Sequence, residues 1–261
     1  MTTKVFCAET RVEAWSAATE YLLANGDALN VILDISSPVV EGEVGRAARK
    51  MLDALYLKEK QLPLHSVAET IFPAWEYLHR GKRGVYTRYP GEYRVLKKGS
   101  PLQWGTYAYR LISRTDAAGN ETNPLDLLVA KMRRIRTEGP IKYRSCYELG
   151  LGEESYELPL YVNASDGRRL RGAPCLMHLS FKLVDDIVHL TALYRSHDYR
   201  YKVPGNLLGL ARLQAFVAHE VGAEMGSLVV HSTLAFLDPA GGKSPFKKLL
   251  SDVAKVQHGR K

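Results

Sequence analysis

From residue 173 onward the chain alternates apolar and polar residues so regularly that few folds accommodate it. "CLMHLSFKLV" and "IVHLTALYRS" read as two strands joined by the acidic turn Asp185-Asp186. "NLLGLARLQAFVAHEVG" follows as a long apolar helix, and "SLVVHSTLAFL" returns as a strand. A hairpin, a buried helix and a further strand need one another's apolar faces, which sets up a sheet with helices against it.

The rest of the chain supplies more of the same two layers. Residues 9–25 read as an amphipathic helix stopped by "NGD", and "NVILDISSP" as a strand ended by Pro38. "EVGRAARKMLDALYLKEK" has helical spacing, as does "HSVAETIFPAWEYLHRG", where Pro73 marks a kink or break. The stretch 82–119, rich in Gly, Tyr and charge, reads as loops around one or two short elements. In "NPLDLLVAKMRRIRTEG" the residues Leu125, Leu128, Val129, Met132 and Ile135 share one helical face. Strands are expected in "IKYRSCYEL" and "YELPLYVNA", and the tail "SPFKKLLSDVAKVQHGRK" reads as a short helix with a frayed basic end. No internal repeat or linker divides the chain, so the expectation is one α+β domain over residues 1–261.

Composition narrows the function classes. Net charge is +8, which favours anionic ligands such as nucleotides, although no nucleic-acid-binding motif accompanies it. The three cysteines, Cys7, Cys146 and Cys175, are too scattered for a disulfide framework or a thiolate zinc site. No metal is expected. The N-terminus lacks the apolar core of a signal peptide, and no apolar run is long enough to span a bilayer. A reducing, cytoplasmic location without membrane contact is the expectation.

Cys175 follows Ala-Pro at the mouth of the first strand. Downstream come "YRSHD" at 194–198 and "PGN" at 204–206, immediately before the long helix. That ordered set resembles the thymidylate synthase and pyrimidine hydroxymethylase family, most strongly over residues 170–230 and more loosely over 62–160. "SVAETIFPAWEYLHRG" is similar to the family's helix with a catalytic glutamate, here Glu69. "PLQWGTYAYRL" looks like its aromatic-Gly segment with a following arginine, here Trp104, Gly105 and Arg110. The resemblance implies the family's mixed β-sheet flanked by helices, and a homodimer formed through the sheet faces.

The implied activity is folate-dependent methyl or hydroxymethyl transfer to C5 of a pyrimidine nucleotide, with 5,10-methylenetetrahydrofolate as the one-carbon donor. A pyrimidine is a poor nucleophile at C5 until a thiolate adds to C6. Cysteine suits that step, and a nearby cation lowers its pKa, a role that falls to Arg195. Arg195 and Ser196 would also hold the nucleotide phosphate. Asn206 would read the base: a carboxamide offers donor and acceptor, matching the O4 and N3–H of uracil. Asp198 would orient the base, Glu69 would move protons, and His197 and Trp104 join the site.

Several family features have no counterpart here. The early phosphate-gripping loop has no obvious counterpart in the first 60 residues, and the mid-chain arginine pair is not reproduced cleanly, with Lys142 and Arg144 of "IKYRS" as a partial substitute for contacting substrate. The ribose-contacting pair near "HSTLAFLD" and the folate-closing C-terminus are unmatched. These gaps support a rival reading, a catalytically inactive relative that binds nucleotide or nucleic acid. Asn206 also reads as an N-cap of the helix that follows. Elsewhere, "DPAGGKS" has a P-loop ending with Leu237 in place of the first glycine, and "AHEVGA" has Ala223 where a zinc helix needs histidine.

Overall fold

The structure is a computed structural model that describes residues 3–97, 106–115, 120–138, 147–150 and 175–258. Its frame is a mixed sheet of β1 (Lys4–Ala8), β2 (Ala28–Ile35), β5 (Glu148–Gly150), β6 (Leu176–Val184), β7 (Ile187–Tyr194), β8 (His197–Asp198) and β9 (Glu224–Phe236). The spatial order is β1-β2-β9-β7-β6-β5, with β8 added beside β9. β9 runs antiparallel to β2 and parallel to β7 and β8. A two-stranded ribbon, β3 (Arg114–Thr115) with β4 (Glu121–Thr122), stands apart.

The expected hairpin forms β6 and β7. Asp185 and Asp186 both have positive φ, at 49° and 63°, the pattern of a two-residue turn whose twist matches the flanking strands. One sheet face is buried in strict alternation, through residues such as Leu179, Phe181, Leu190, Ala192, Leu228 and Val230.

Helices α1 (Arg11–Asn25) and α8 (Val203–Val221) pack on that face. Thr10 and Glu13 form a reciprocal capping box at the start of α1. Gln214, fully buried in α8, donates to the main-chain carbonyls of Val188 and Gly226 at 2.9 and 3.0 Å, which pins the helix to β7 and β9. Trp15 of α1 donates its indole N–H to the carbonyl of Tyr199 at 2.7 Å, holding the segment after β8.

Around this pair lie α2 (Gly42–Lys58), α3 (Leu64–Glu69), α4 (Ala74–Arg83), α7 (Pro124–Glu138) and α9 (Lys243–His258). Pro73 does separate α3 from α4. Among the described residues no helix is long and apolar enough to cross a membrane.

Four expectations change. The stretch 82–119 is largely helical where described: a π-turn at Gly84–Arg88 leads into α5 (Tyr89–Lys97), and α6 (Tyr107–Ile112) follows. β1 was not anticipated at all. The tail helix α9 runs 16 residues rather than a short stretch, because Phe246, Leu249, Leu250 and Val253 bury one of its faces. Asn206 is not an N-cap: α8 begins at Val203, so Asn206 lies in its first turn, with its amide bonded to the carbonyl of Lys202. The expected strand "YELPLYVNA" lies outside the described residues, as does most of "IKYRSCYEL", of which β5 takes up the end.

Candidate active site

The ends of β6, β7 and β9 and the N-terminus of α8 converge on a cavity of about 480 Å³, a volume in the range of small-molecule sites. Among the described residues Cys175, Ser196, His197, Asp198, Lys202 and Asn206 line it. Leu62, Val67 and Thr70 of the α3 region and Thr106, Tyr107, Phe236 and Asp238 line it as well.

Cys175 is half-buried immediately before β6. Its carbonyl accepts from the amide of Arg195 at 2.9 Å, which ties it to the end of β7. The strand pairing slips between Leu176 and His178, a bulge of the kind that re-aims a side chain. The phenol oxygen of Tyr107 accepts from the amides of Cys175 and Leu176 at 3.0 and 3.2 Å. Burial pushes the thiol above its ordinary pKa, while Arg195 and Lys202 pull it down. Arg195 thus acts on the thiol in the direction of activation, but desolvation outweighs it.

Asp198 is buried, and burial raises its pKa against the pull of three amides. Its Oδ1 accepts from Arg200 at 2.9 Å and Asp238 at 3.2 Å, and its Oδ2 from Tyr201 at 3.3 Å. This carboxylate organises the turn into α8 as well as facing the cavity. Behind it, Arg200 pairs with Glu59 at 2.6 Å with both side chains largely buried. Ser196 stands between β7 and β8, and Asn206 is buried in the first turn of α8.

His197 is buried on β8, its ring stacked on Tyr194 with centroids 3.8 Å apart. Its Nδ1 lies 3.0 Å from Ser232 Oγ, and its Nε2 accepts from Asn206 Nδ2 at 3.0 Å. Burial lowers its pKa to about 3, so the imidazole is neutral.

Glu69 departs from this group. It ends α3, next to Thr70 on the cavity wall, but its carboxylate is held by Arg212 at 3.3 Å and His65 at 3.5 Å. Burial raises its pKa, opposed by His65, the amides of Trp75 and Ala74, and Arg212. Trp104, Lys142 and Arg144 lie outside the described residues. Tyr107, Lys202 and Asp238 were not singled out from the sequence. Lys202 could have been, as a cation set between "RSHD" and "PGN". Among the described residues no group of three or more His, Cys, Asp or Glu side chains is placed to hold a metal ion.

No family model matches the chain. Over 64 residues, 24% of this chain and 30% of the relative, it is 44% identical to a protein from Methanococcoides burtonii named "Putative thymidylate synthase". Proteins of the same name from Methanosarcina mazei and Methanothermobacter thermautotrophicus are each 42% identical, over 67 and 64 residues. Those matches cover 26% and 24% of this chain and 31% and 29% of the relatives. The chain thus matches about three-tenths of the length of these curated relatives. The partial matches support a thymidylate-synthase-like family without pointing to a specific member.

Proposed function

We propose that this chain is a one-carbon transferase that methylates or hydroxymethylates C5 of a uridylate-type pyrimidine nucleotide. The observation that carries the reading is the cavity that gathers Cys175, Ser196, Asp198 and Asn206 around one volume. A thiol, a hydroxyl, a carboxylate and a carboxamide on a partly apolar wall suit a flat heterocycle with a polar edge.

In this reading the Cys175 thiolate adds to C6, and the electrons of the C5–C6 double bond move onto O4. The enolate then attacks a one-carbon electrophile through C5. Loss of the C5 proton with departure of the carrier amine would leave an exocyclic methylene at C5. Addition of a hydride from the reduced carrier, giving methyl, or of water, giving hydroxymethyl, would then expel sulfur from C6 and free the thiolate. Arg195 and Ser196 hold the phosphate, and Asn206 meets N3–H and O4. Arg195 and Lys202 supply the positive field that favours thiolate at a buried sulfur. Glu69, beside the wall at Thr70, serves as the proton-moving carboxylate, its raised pKa suiting general acid–base work.

The makeup of the wall also fits a folate. Leu62, Val67 and Phe236 offer an apolar surface on the same wall as Asp198 and Asp238, whose carboxylates would accept from pterin N–H donors. When bound, methylenetetrahydrofolate supplies the one-carbon unit. A homodimer is supported by the second sheet face, where Val5, Ile32, Leu193 and Val229 remain at least partly exposed next to polar neighbours. The anchoring of Glu69 by Arg212 favours the rival, a relative that binds pyrimidine nucleotide without turning it over.

The deciding experiment is tritium release from C5-tritiated UMP, dUMP, CMP and dCMP, with and without methylenetetrahydrofolate. Release that disappears in Cys175→Ala supports the transferase. Tight nucleotide binding without release from any substrate establishes the rival.

A further inference from the structure

The base-reading role given to Asn206 carries an ambiguity that the residue alone does not resolve. Turned by half a rotation about its last bond, a carboxamide exchanges its oxygen for its nitrogen. Uracil presents N3–H and O4, whereas cytosine presents a bare N3 and a 4-amino group. A freely turning amide therefore satisfies either base. Selection requires that one orientation be held.

His197 stands behind Asn206 and removes that freedom. Its Nε2 lies 3.0 Å from Asn206 Nδ2, and its Nδ1 lies 3.0 Å from Ser232 Oγ, which is 3.1 Å from the Tyr199 hydroxyl. The ring is stacked on Tyr194 at an interplanar angle of 8° and meets Tyr199 edge-on at 5.7 Å, so it has no room to rotate. His197, Asn206, Ser232, Tyr194 and Tyr199 are all buried. An amide nitrogen donates and does not accept, so Nε2 is the acceptor and the ring proton sits on Nδ1. Flipping the amide would set Oδ1 against that lone pair, and relieving the clash would require the ring proton to move to Nε2 and the Ser232 and Tyr199 hydroxyls to reverse with it. Burial keeps the imidazole neutral, so the lone pair persists at any ordinary working pH.

We infer that His197 is a positioning residue that sets base specificity: its Nε2 fixes the Asn206 carboxamide so that Oδ1 and one N–H face the ligand in a single order. The inference rests on the nucleotide reading above. It adds a residue that chooses between bases without touching them.

The test has two arms. The first measures binding of dUMP and dCMP to the wild-type protein, His197→Phe and His197→Gln by calorimetry. Phenylalanine keeps the stack on Tyr194 but has no acceptor, while glutamine returns an acceptor near the position of Nε2. The wild type is expected to prefer dUMP by about tenfold or more, the worth of one mispaired buried hydrogen bond. His197→Phe should bring the two affinities to within about threefold, since its amide satisfies either base, and His197→Gln should keep more of the preference. An unchanged ratio in His197→Phe, or equal losses for both nucleotides, overturns the inference. The second arm reads the His197 ring by ¹⁵N NMR without any ligand. An unprotonated Nε2 between about pH 6 and 8 is expected, and a protonated one overturns the lock. If the wild type binds no pyrimidine nucleotide, the parent reading and the base-selection role fall together, and the spectrum still judges the lock.

Discussion

The phenol of Tyr107 caps the start of β6 by accepting from the amides of both Cys175 and Leu176, 68 and 69 residues away in sequence. Those two N–H groups stand where the strand begins and where the bulge interrupts its pairing. Tyr107→Phe removes the shared acceptor while keeping the ring. Leaving buried donors unpaired should lower stability by about 1–3 kcal/mol and loosen the main chain that carries the thiol. Urea denaturation checks the first effect, and the alkylation rate of Cys175 checks the second. Both unchanged would show that the phenol is not what holds this strand end.

The Cys175 thiol sits above its ordinary pKa because burial outweighs the attraction of Arg195 and Lys202. Only the thiolate reacts, so alkylation by iodoacetamide should be slow near neutrality and climb steadily on the alkaline side. Lys202→Met removes one of the two cations and should move the inflection further up in pH. Arg195 exerts the larger of the two pulls, so Arg195→Met should move it more. An inflection that falls in either variant contradicts the electrostatic account. The assay follows alkylation by mass spectrometry in a Cys7→Ser background, because Cys7 is exposed.

What the sequence disclosed and what it concealed follow from the range of the interactions involved. β6, β7 and α8 were legible because their periodicity of two or 3.6 reflects a single continuous core face. β1 was missed: its five residues alternate between partly buried and exposed, and it gains its partner only when β2 lies alongside. The segment at 84–97 read as loop because its few apolar residues, tyrosines among them, are scattered among glycines and charges without a clear period. Its helical state rests on distant partners, such as Tyr89 bonded to Thr106 at 2.8 Å and Tyr93 packed on Tyr109 at 4.7 Å. The same limit applies to the site. Ser196, His197, Asp198 and Asn206 lie close in sequence and reach the cavity together, whereas Tyr107 arrives from an element whose placement no local pattern records.

His197 carries a stability signature independent of any ligand. Its pKa falls from an ordinary 6.5 to about 3 in the fold, so between those values the unfolded chain holds a proton that the folded chain lacks. Its neutral, buried state is therefore fully favoured above about pH 6.5 and loses ground as pH falls toward 3. The expected slope from this one group approaches 1.4 kcal/mol per pH unit, about one proton's worth. Other groups titrate in the same window, so the measurement is a difference. The gap in unfolding free energy between wild type and His197→Gln should change by about that slope between pH 6 and 4. Parallel curves would mean that His197 is protonated in the folded protein.

The part of the cavity wall formed by Val67 and Thr70 depends on how closely α3 approaches α8. A Cβ on Gly209 would stand 2.7 Å from the main-chain oxygen of Ala68 and 2.9 Å from Ile71 Cβ, and one on Gly205 would stand 2.5 Å from Val67 Cβ. Both glycines have ordinary negative φ, so contact rather than backbone strain explains them. Gly209→Ala improves helix propensity by about 1 kcal/mol, yet it must push α3 outward against its main chain. The overpacking cost of about 1–3 kcal/mol should win, giving a net loss in urea denaturation. Because α3 carries Val67 and leads into Thr70, the displacement should also weaken ligand binding in the cavity, which calorimetry with dUMP reads directly. A variant as stable as the wild type would show that the two helices have slack between them, and that the cavity wall is set by something other than this contact.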